Sequence, residues 1–279
     1  MRIPWKLKSL LFSIVDRYGL QNLLYWGQRW VSRRAPRSFE NVSSNWRFHE
    51  SNILSWKKID IDNVFEFGAG RTLAQNLFLS RSIQKQTVVD LNPMLNLKLC
   101  ESARKRLLEL REIGPGKEIK GVSDLERFGI SYIAPMNAAA TDKEDGSFSA
   151  LISTNTFEHI PRDEIPLILK EVFRILKDGA LLSIIIDYSD HYSHTDEKIS
   201  KLNFLRYDEV QWKRYNHPSN YQNRLRHHDY LMLFKSAGFS VISSEFEAAE
   251  TDIPEEISVK FRGAADFWEA TKGFFVLEK

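Results

Sequence analysis

The sequence predicts an α/β fold built on a mostly parallel sheet with helices on both faces. Three observations carry this. From Ile59 onward, short apolar runs alternate with longer amphipathic ones, the pattern of strands joined by helices. The run Val64-Phe65-Glu66-Phe67 passes into Gly68-Ala69-Gly70, so a buried strand turns into a helix through two glycines. The run Val88-Val89 ends in Asp90, about 20 residues beyond the second glycine. Glycines let a backbone approach a ligand closely, and the helix N-terminus offers free N–H groups. An acid at the tip of the next strand is placed to accept both hydroxyls of a ribose. Together these describe a Rossmann-like, nucleoside-binding half-site.

Taken in order, strands are expected at Asn63–Phe67, Thr87–Asp90, Ile130–Ile133, Ala150–Thr154, Leu181–Asp187, Phe239–Phe246 and Phe274–Leu277. Helices are expected at Thr72–Ser80, Pro93–Leu110, Arg162–Leu176 and His228–Ala237. Gly114-Pro115-Gly116 breaks the chain after the second of these, and Gly179 and Gly238 stand where helices should stop. Before the sheet, residues 1–58 form an N-terminal extension. Leu7, Leu10, Leu11, Ile14 and Val15 fall on one helical face, and Leu20, Leu23, Leu24 and Val31 suggest a second helix. Residues 59–279 make the main domain. Within it, 187–228 reads as an insertion over the end of the sheet where such folds bind ligands.

Composition narrows the classes. The chain has 279 residues, 43% hydrophobic and 27% charged, which suits one globular core. A net charge of +2 gives no global field for nucleic acid, and none is expected as a partner. Cys100 is the only cysteine, so neither an intrachain disulfide nor a cysteine-based zinc site is possible, and a reducing cytoplasm is the expected location. No signal peptide or membrane span is expected. The first 40 residues are basic, amphipathic and rich in tryptophan. Such helices either pack on the domain or lie on an anionic membrane surface, here the inner face.

The turn itself discriminates between nucleosides. A nicotinamide fingerprint would need Gly at position 73, which is Leu, whereas an acid stands two residues before the first glycine. The form Glu66-x-Gly68-x-Gly70 resembles class I S-adenosylmethionine-dependent methyltransferases, with Thr72 where the family often has a third glycine. Four later stretches resemble the same family, in order. These are Asp145-Gly146-Ser147-Phe148 before the fourth strand, Phe157-Glu158-His159-Ile160-Pro161 after it, Leu176-Lys177-Asp178-Gly179 before the fifth, and the ending Gly273-Phe274-Phe275. The resemblance covers about residues 60–279. It implies a seven-stranded class I methyltransferase fold with S-adenosyl-L-methionine as cofactor. It implies that Glu66, Phe67, Gly68 and Gly70 hold the methionine portion and Asp90 the ribose, with Leu91 against the adenine. Asn137 and Ala138 stand where the family contacts the adenine amino group, and Asn155 at the tip of the fourth strand faces the cofactor. His159 reads as a local helix cap.

Methyl transfer to an alcohol requires an aligned acceptor, exclusion of water and a base. The end of the fifth strand reads Asp187-Tyr188-Ser189-Asp190-His191-Tyr192-Ser193-His194. His191 is the first expected base, with Asp187 or Asp190 as its orienting partner, and His194 is the second. A metal-assisted site and a purely structural loop stay open, although the spacing matches no strong metal signature and no metal is assigned. Tyr188, Trp212, Tyr215, Tyr221, Arg224 and Arg226 are expected to bind substrate, because rings stack on sugar faces and planar donors grip hydroxyls. Several stretches, Val64–Ser80 and Tyr221–Phe239 among them, resemble bacterial methyltransferases of surface-polysaccharide and glycan biosynthesis. The resemblance implies O-methylation of a sugar or glycan precursor. Other small or lipid-linked acceptors, or a silent cofactor-binding protein at the membrane, are the alternatives. The sequence leaves the oligomeric state open.

Overall fold

The computed structural model describes residues 4–20, 39–249, 253–262 and 268–279. The described strands are β1 (Asn63–Phe67), β2 (Lys85–Val89), β3 (Ile130–Ile133), β4 (Phe148–Thr154), β5 (Leu176–Asp187), β6 (Ser240–Ala248) and β7 (Ala270–Glu278). They form one sheet in the order β3-β2-β1-β4-β5-β7-β6. The first five strands are parallel, and β7 inserts antiparallel between β5 and β6. The strand order reverses beside β1, and the crevice at the carboxyl ends of β1 and β4 is where such sheets take ligands.

The major helices are α1 (Trp5–Arg17), α2 (Phe39–Ser55), α3 (Ala74–Leu79), α4 (Leu97–Glu109), α5 (Ile165–Ile175) and α6 (His227–Ser236). α5 and α6 cover one face of the sheet, where Phe65, Leu151, Ile184 and Phe275 meet Val172 and Phe234. α2, α3 and α4 cover the other, where Val64, Val88 and Ile152 meet Trp46, Leu77 and Leu107. β5 lies inside both layers, and Ala180–Ile186 is buried throughout, the continuous run a central strand needs.

Several boundaries differ from expectation for local reasons. α4 begins at Leu97, not Pro93, because Asn96 caps it: its side chain accepts from Lys98 N and Leu99 N. The preceding amides of Met94 and Leu95 donate instead to the Tyr132 hydroxyl. α3 begins at Ala74 because Leu73 turns left-handed, with φ +47°. β5 starts at Leu176, within the expected helix end. The expected second N-terminal helix lies outside the described residues. α2 has no counterpart in the sequence reading, since its stripe of Trp46, His49, Asn52 and Ile53 mixes polar and apolar groups.

α1 straps the 187–228 insertion. Trp5 stands edge-on to Tyr215, with ring centroids 4.8 Å apart, and Phe12 packs beside Tyr192. The Trp5 amide donates to Asp196 and the Asp16 carboxylate accepts from Ser219. Burying two such aromatic side chains contributes about 1.5–3 kcal/mol each. The outer face of α1 exposes Leu7, Leu10, Leu11 and Ile14. Among the described residues, no helix is long and apolar enough to cross a membrane.

Candidate active site

The carboxyl ends of β1 and β2 build the first half of the site. Gly68 and Gly70 both adopt φ near +75° (75° and 74°), the left-handed region that favours glycine. Their surroundings differ. A Cβ on Gly68 would fall 2.4 Å from Thr156 Cγ2, whereas one on Gly70 would meet nothing within 4 Å. Gly68 is therefore fixed by packing, and Gly70 faces open space that a ligand can fill. Asp90, at the end of β2, accepts a 2.9 Å hydrogen bond from Tyr132. Burial raises its pKa, with the Tyr132 and Gly70 donors opposing. Leu91 beside it is exposed. Asn155, at the tip of β4, has φ +51°, and its buried Oδ1 has no hydrogen-bond partner. A strained residue presenting an orphaned acceptor is suited to a ligand's N–H or O–H group.

Glu66, 4% exposed, lies beneath the glycine turn. Its two carboxylate oxygens accept from Gln75 Nε2 at 3.0 Å and Asn76 Nδ2 at 2.6 Å, both on α3. Through these two bonds the side chain, expected to hold the methionine portion, also ties β1 to α3. Burial pushes its pKa up to about 8, and the neighbouring charge of Asp90 adds to this. The hydrogen bonds continue as a relay. Thr154 donates to Gln75 Oε1, so its oxygen accepts from His49 Nε2–H at 2.8 Å. That tautomer leaves His49 Nδ1 to accept from Ser183, whose oxygen accepts from Asn52.

The second half of the site lies at the ends of β4 and β5. A one-turn 3-10 helix, Phe157–His159, follows β4. His159 does not cap it; its imidazole reaches across to the Tyr221 carbonyl, 3.0 Å from Nδ1. The His159 and His191 rings stand 4.8 Å apart, and His191 stacks on His194 at 5.1 Å. Asp187 Oδ2 lies 3.5 Å from His194 Nε2 and 3.9 Å from His191 Nε2. Asp190 does not serve as an orienting partner, because its buried carboxylate accepts from Asn203 Nδ2 and Tyr192 N. Burial lowers the His191 pKa well below the usual imidazole range, against the pull of Asp187 and with help from His159 and His194. Glu158 is 2% exposed, and neither carboxylate oxygen has a hydrogen-bond partner. Burial, with Asp187 nearby, raises its pKa well above the usual carboxylate range.

A family model described as a methyltransferase domain matches residues 65–184. The chain carries a class I S-adenosylmethionine-dependent methyltransferase domain. It is an enzyme, a methyltransferase, and S-adenosylmethionine is its cofactor. Solved structures share the fold at low identity. A Bacillus halodurans protein assigned as a methyltransferase is 13% identical, with 85% of this chain and 99% of that chain covered and a TM-score of 0.50. An S-adenosylmethionine-dependent methyltransferase of Methanosarcina mazei is 18% identical, covering 80% and 94%, at 0.47. The geranyl diphosphate C-methyltransferase of Streptomyces coelicolor is 13% identical, covering 85% and 78%, at 0.47. No curated protein matches the chain.

The methyltransferase's first half-site fits this cofactor on three counts. Gly70 opens onto free space, Asp90 ends β2 with Tyr132 holding its carboxylate, and the Asn155 acceptor is orphaned. Asn137 and Ala138 follow β3, and the Asn137 side chain accepts from Ala139 N. Phe67 is buried, with its ring edge-on to Phe157.

Beside the second half-site lies a cavity of about 470 Å³, lined by Trp212, Tyr221, Asn223, Arg224, Arg226 and Trp268 among others. The segment Tyr221–Asn223 divides it from the histidines: Tyr221 O meets His159, and Gln222 Oε1 accepts from His191 N at 3.2 Å. Trp212 Nε1 and Arg226 Nε are buried donors without partners. Two expected substrate contacts are corrected. Tyr188 is buried in the core, stacked on Tyr230 and 3.2 Å from His227 Nδ1. Tyr215 packs against Trp5 of α1. The guanidinium of Arg224 also works partly inward, donating to the Phe204 carbonyl at 2.9 Å and pairing with Glu209. Sequence reasoning missed Tyr132, Glu158 and Gln75. Only Glu158 carried a signal, a carboxylate beside His159 in an otherwise apolar turn.

Proposed function

We propose that this methyltransferase transfers the methyl group to a hydroxyl oxygen of a polyhydroxylated acceptor, a sugar or glycan precursor. The observation that carries the reading is the Asp187–His194 pair at the end of β5, stacked on His191 in a cluster that Tyr221 and Gln222 join to the wall of an aromatic and amide-lined cavity. When bound, S-adenosylmethionine supplies a sulfonium methyl, which leaves to the acceptor while the sulfur keeps the bonding electron pair. Gly70, Asp90 and Asn155 hold the cofactor. His194 takes the proton that the acceptor hydroxyl loses, and Asp187 orients the imidazole and stabilises its charged form. This reading moves the base from His191 to His194. His191 is the more buried, with 13% of its side chain exposed against 32% for His194, and burial opposes its protonation. In the cavity, Trp212 Nε1 and Arg226 Nε are donors suited to hydroxyl oxygens.

The test is an acceptor screen with S-adenosylmethionine carrying a deuterated methyl group. Nucleotide sugars, oligosaccharides, phenols and isoprenoid diphosphates are offered, and products are mapped by mass spectrometry and NMR. Label on a sugar hydroxyl supports the reading. Label on carbon, or on non-sugar acceptors alone, refutes it.

We further propose that the outer face of α1 rests on an anionic membrane surface, because its exposed Leu7, Leu10, Leu11 and Ile14 are flanked by Lys6 and Arg17. Salt-sensitive sedimentation with phosphatidylglycerol vesicles, lost in Leu10→Glu, supports this. Equal sedimentation of both proteins refutes it.

A further inference from the structure

We propose that Glu158, His159 and His191 form a binding site for a divalent first-row transition metal ion. One oxygen of Glu158 and one ring nitrogen of each histidine lie within 4.8 Å of one another. Ligands at about 2.0–2.1 Å from a tetrahedral ion stand roughly 3.3 Å apart, so closure needs side-chain rotations of about an ångström and no backbone movement.

Three features point to an ion and not to chance proximity. Glu158 is 2% exposed and has no side-chain partner; only the backbone N–H groups of Glu158 and Asp187 approach it, too loosely to satisfy its oxygens. A charged carboxylate so placed costs several kcal/mol, and a protonated one still leaves an O–H donor without an acceptor. A dication removes both penalties. His159 is already in the ligating tautomer. A carbonyl can only accept, so Nδ1 must donate its proton to Tyr221 O, and Nε2 carries the free lone pair. The ligands are also held from behind. Asn223 donates its amide to Glu158 O at 2.8 Å and its side chain to Phe157 O and Ile160 O, while Gln222 holds the His191 backbone. Adjacent residues thus fix both walls of the site.

The donor set names the class of ion. Two imidazoles and one carboxylate suit zinc, iron(II), cobalt or manganese better than calcium or magnesium, which prefer oxygen. Three protein ligands leave positions open for an acceptor oxygen, the pattern of catalytic sites. Asp187, 3.9 Å from His191 Nε2, adds a second negative charge. The ion's role as a Lewis acid for the acceptor hydroxyl rests on the proposed O-methyl transfer, with His194 taking the proton; the binding site itself does not.

The experiment uses untagged, full-length protein, stripped with chelator and dialysed. Zinc is titrated calorimetrically, and cobalt(II) is followed by its visible absorption. One equivalent should bind. His159→Ala and His191→Ala should each weaken zinc by at least about tenfold and abolish the cobalt band. Glu158→Gln, which keeps the buried shape, should do the same. S-adenosylhomocysteine binding should survive in all three, so that loss of metal is not loss of fold. Absence of stoichiometric zinc binding, or affinity unchanged in both histidine variants, overturns the proposal. The outcome is independent of the acceptor screen: zinc can bind where no sugar is methylated, and sugars can be methylated by protein that binds no zinc.

Discussion

Two histidine environments in this molecule are physically opposite, one sealed in the core and one graded from the buried Glu158 out to an exposed His159. His49 is fully buried, and both ring nitrogens are satisfied in one fixed tautomer between Thr154 and Ser183. Burial lowers its pKa to about 3, with the Lys272 charge contributing. It is therefore a neutral strut whose hydrogen bonds tie α2 to β4 and β5. The cluster at the ends of β4 and β5 instead brings two imidazoles, with a third stacked behind, beside a buried carboxylate that has no side-chain partner. A network with every member satisfied adds stability and specifies one structure. A network left incomplete costs stability, and is retained where a ligand completes it. The unsatisfied atoms here belong to Glu158, and they are what sets the second cluster apart from the His49 strut.

The sharpest way to break this contrast is to swap the consequences. His194→Ala should cut turnover by about 10²–10⁴-fold, the usual worth of a positioned base. Its urea midpoint and cofactor affinity should stay near those of the parent. His49→Ala should do the reverse. It leaves the Ser183 hydroxyl without its acceptor and opens a cavity, so stability should fall by about 2–4 kcal/mol. Turnover per folded molecule should change little. Urea denaturation and steady-state kinetics on both variants decide it: a His49→Ala enzyme with native stability and lost turnover would reverse the assignments.

A smaller effect tests the other half of the site. Asp90→Ala removes a charge-assisted hydrogen-bond acceptor for a ribose hydroxyl, worth about 1.5–3 kcal/mol. Cofactor affinity should drop by about 10–100-fold on calorimetry, with Tyr132→Phe producing a weaker loss through the unfixed carboxylate. Unchanged affinity in a folded Asp90→Ala protein would remove Asp90 from the cofactor site.

The sequence carried the scaffold further than the site. β1 and β3 match residue for residue, because their apolar runs end in turn residues that permit one reading. The glycine turn and Asp90 were legible for the same reason: local backbone geometry dictates local residue type. The tie from Glu66 to α3 was not, because the carboxylate points to whatever lies beneath α3, and two amides on that helix claim it. Tyr188 and Tyr215 carry the composition of a sugar-binding surface, yet tertiary packing turns them inward. The Glu158–His159–His191 grouping joins residues from two loops, and only the parallel pairing of β4 and β5 brings them together. α2 was missed because its buried face is half polar, and its polar groups find partners only across the sheet.

The last comparison is between the two buried carboxylates, Glu158 without partners and Glu66 with two. Partners do not make Glu66 an ordinary acid. Both of its bonds come from neutral amides, and burial outweighs them, so its pKa rises to about 8. In the unfolded chain a glutamate titrates near 4.3. Between these values the folded state binds a proton that the unfolded state has lost. The stability this proton contributes is fully present below about pH 4.3 and is lost as pH rises through about 8. Glu66→Gln cannot titrate. The stability of the parent minus that of Glu66→Gln, measured without cofactor, should therefore fall from pH 5 to pH 8.5, by at most about 1.4 kcal/mol per pH unit. Taking the difference cancels to first order every other group that titrates alike in both proteins, Glu158 included. Because the Asp90 charge adds to the shift, the fall should end at lower pH, and be smaller in total, in an Asp90→Ala background. That displacement toward a normal carboxylate pKa is read from urea midpoints at four or more pH values. A gap that stays constant from pH 5 to 8.5 would mean that Glu66 ionises normally, and that the amides of Gln75 and Asn76 hold a charge that burial fails to expel.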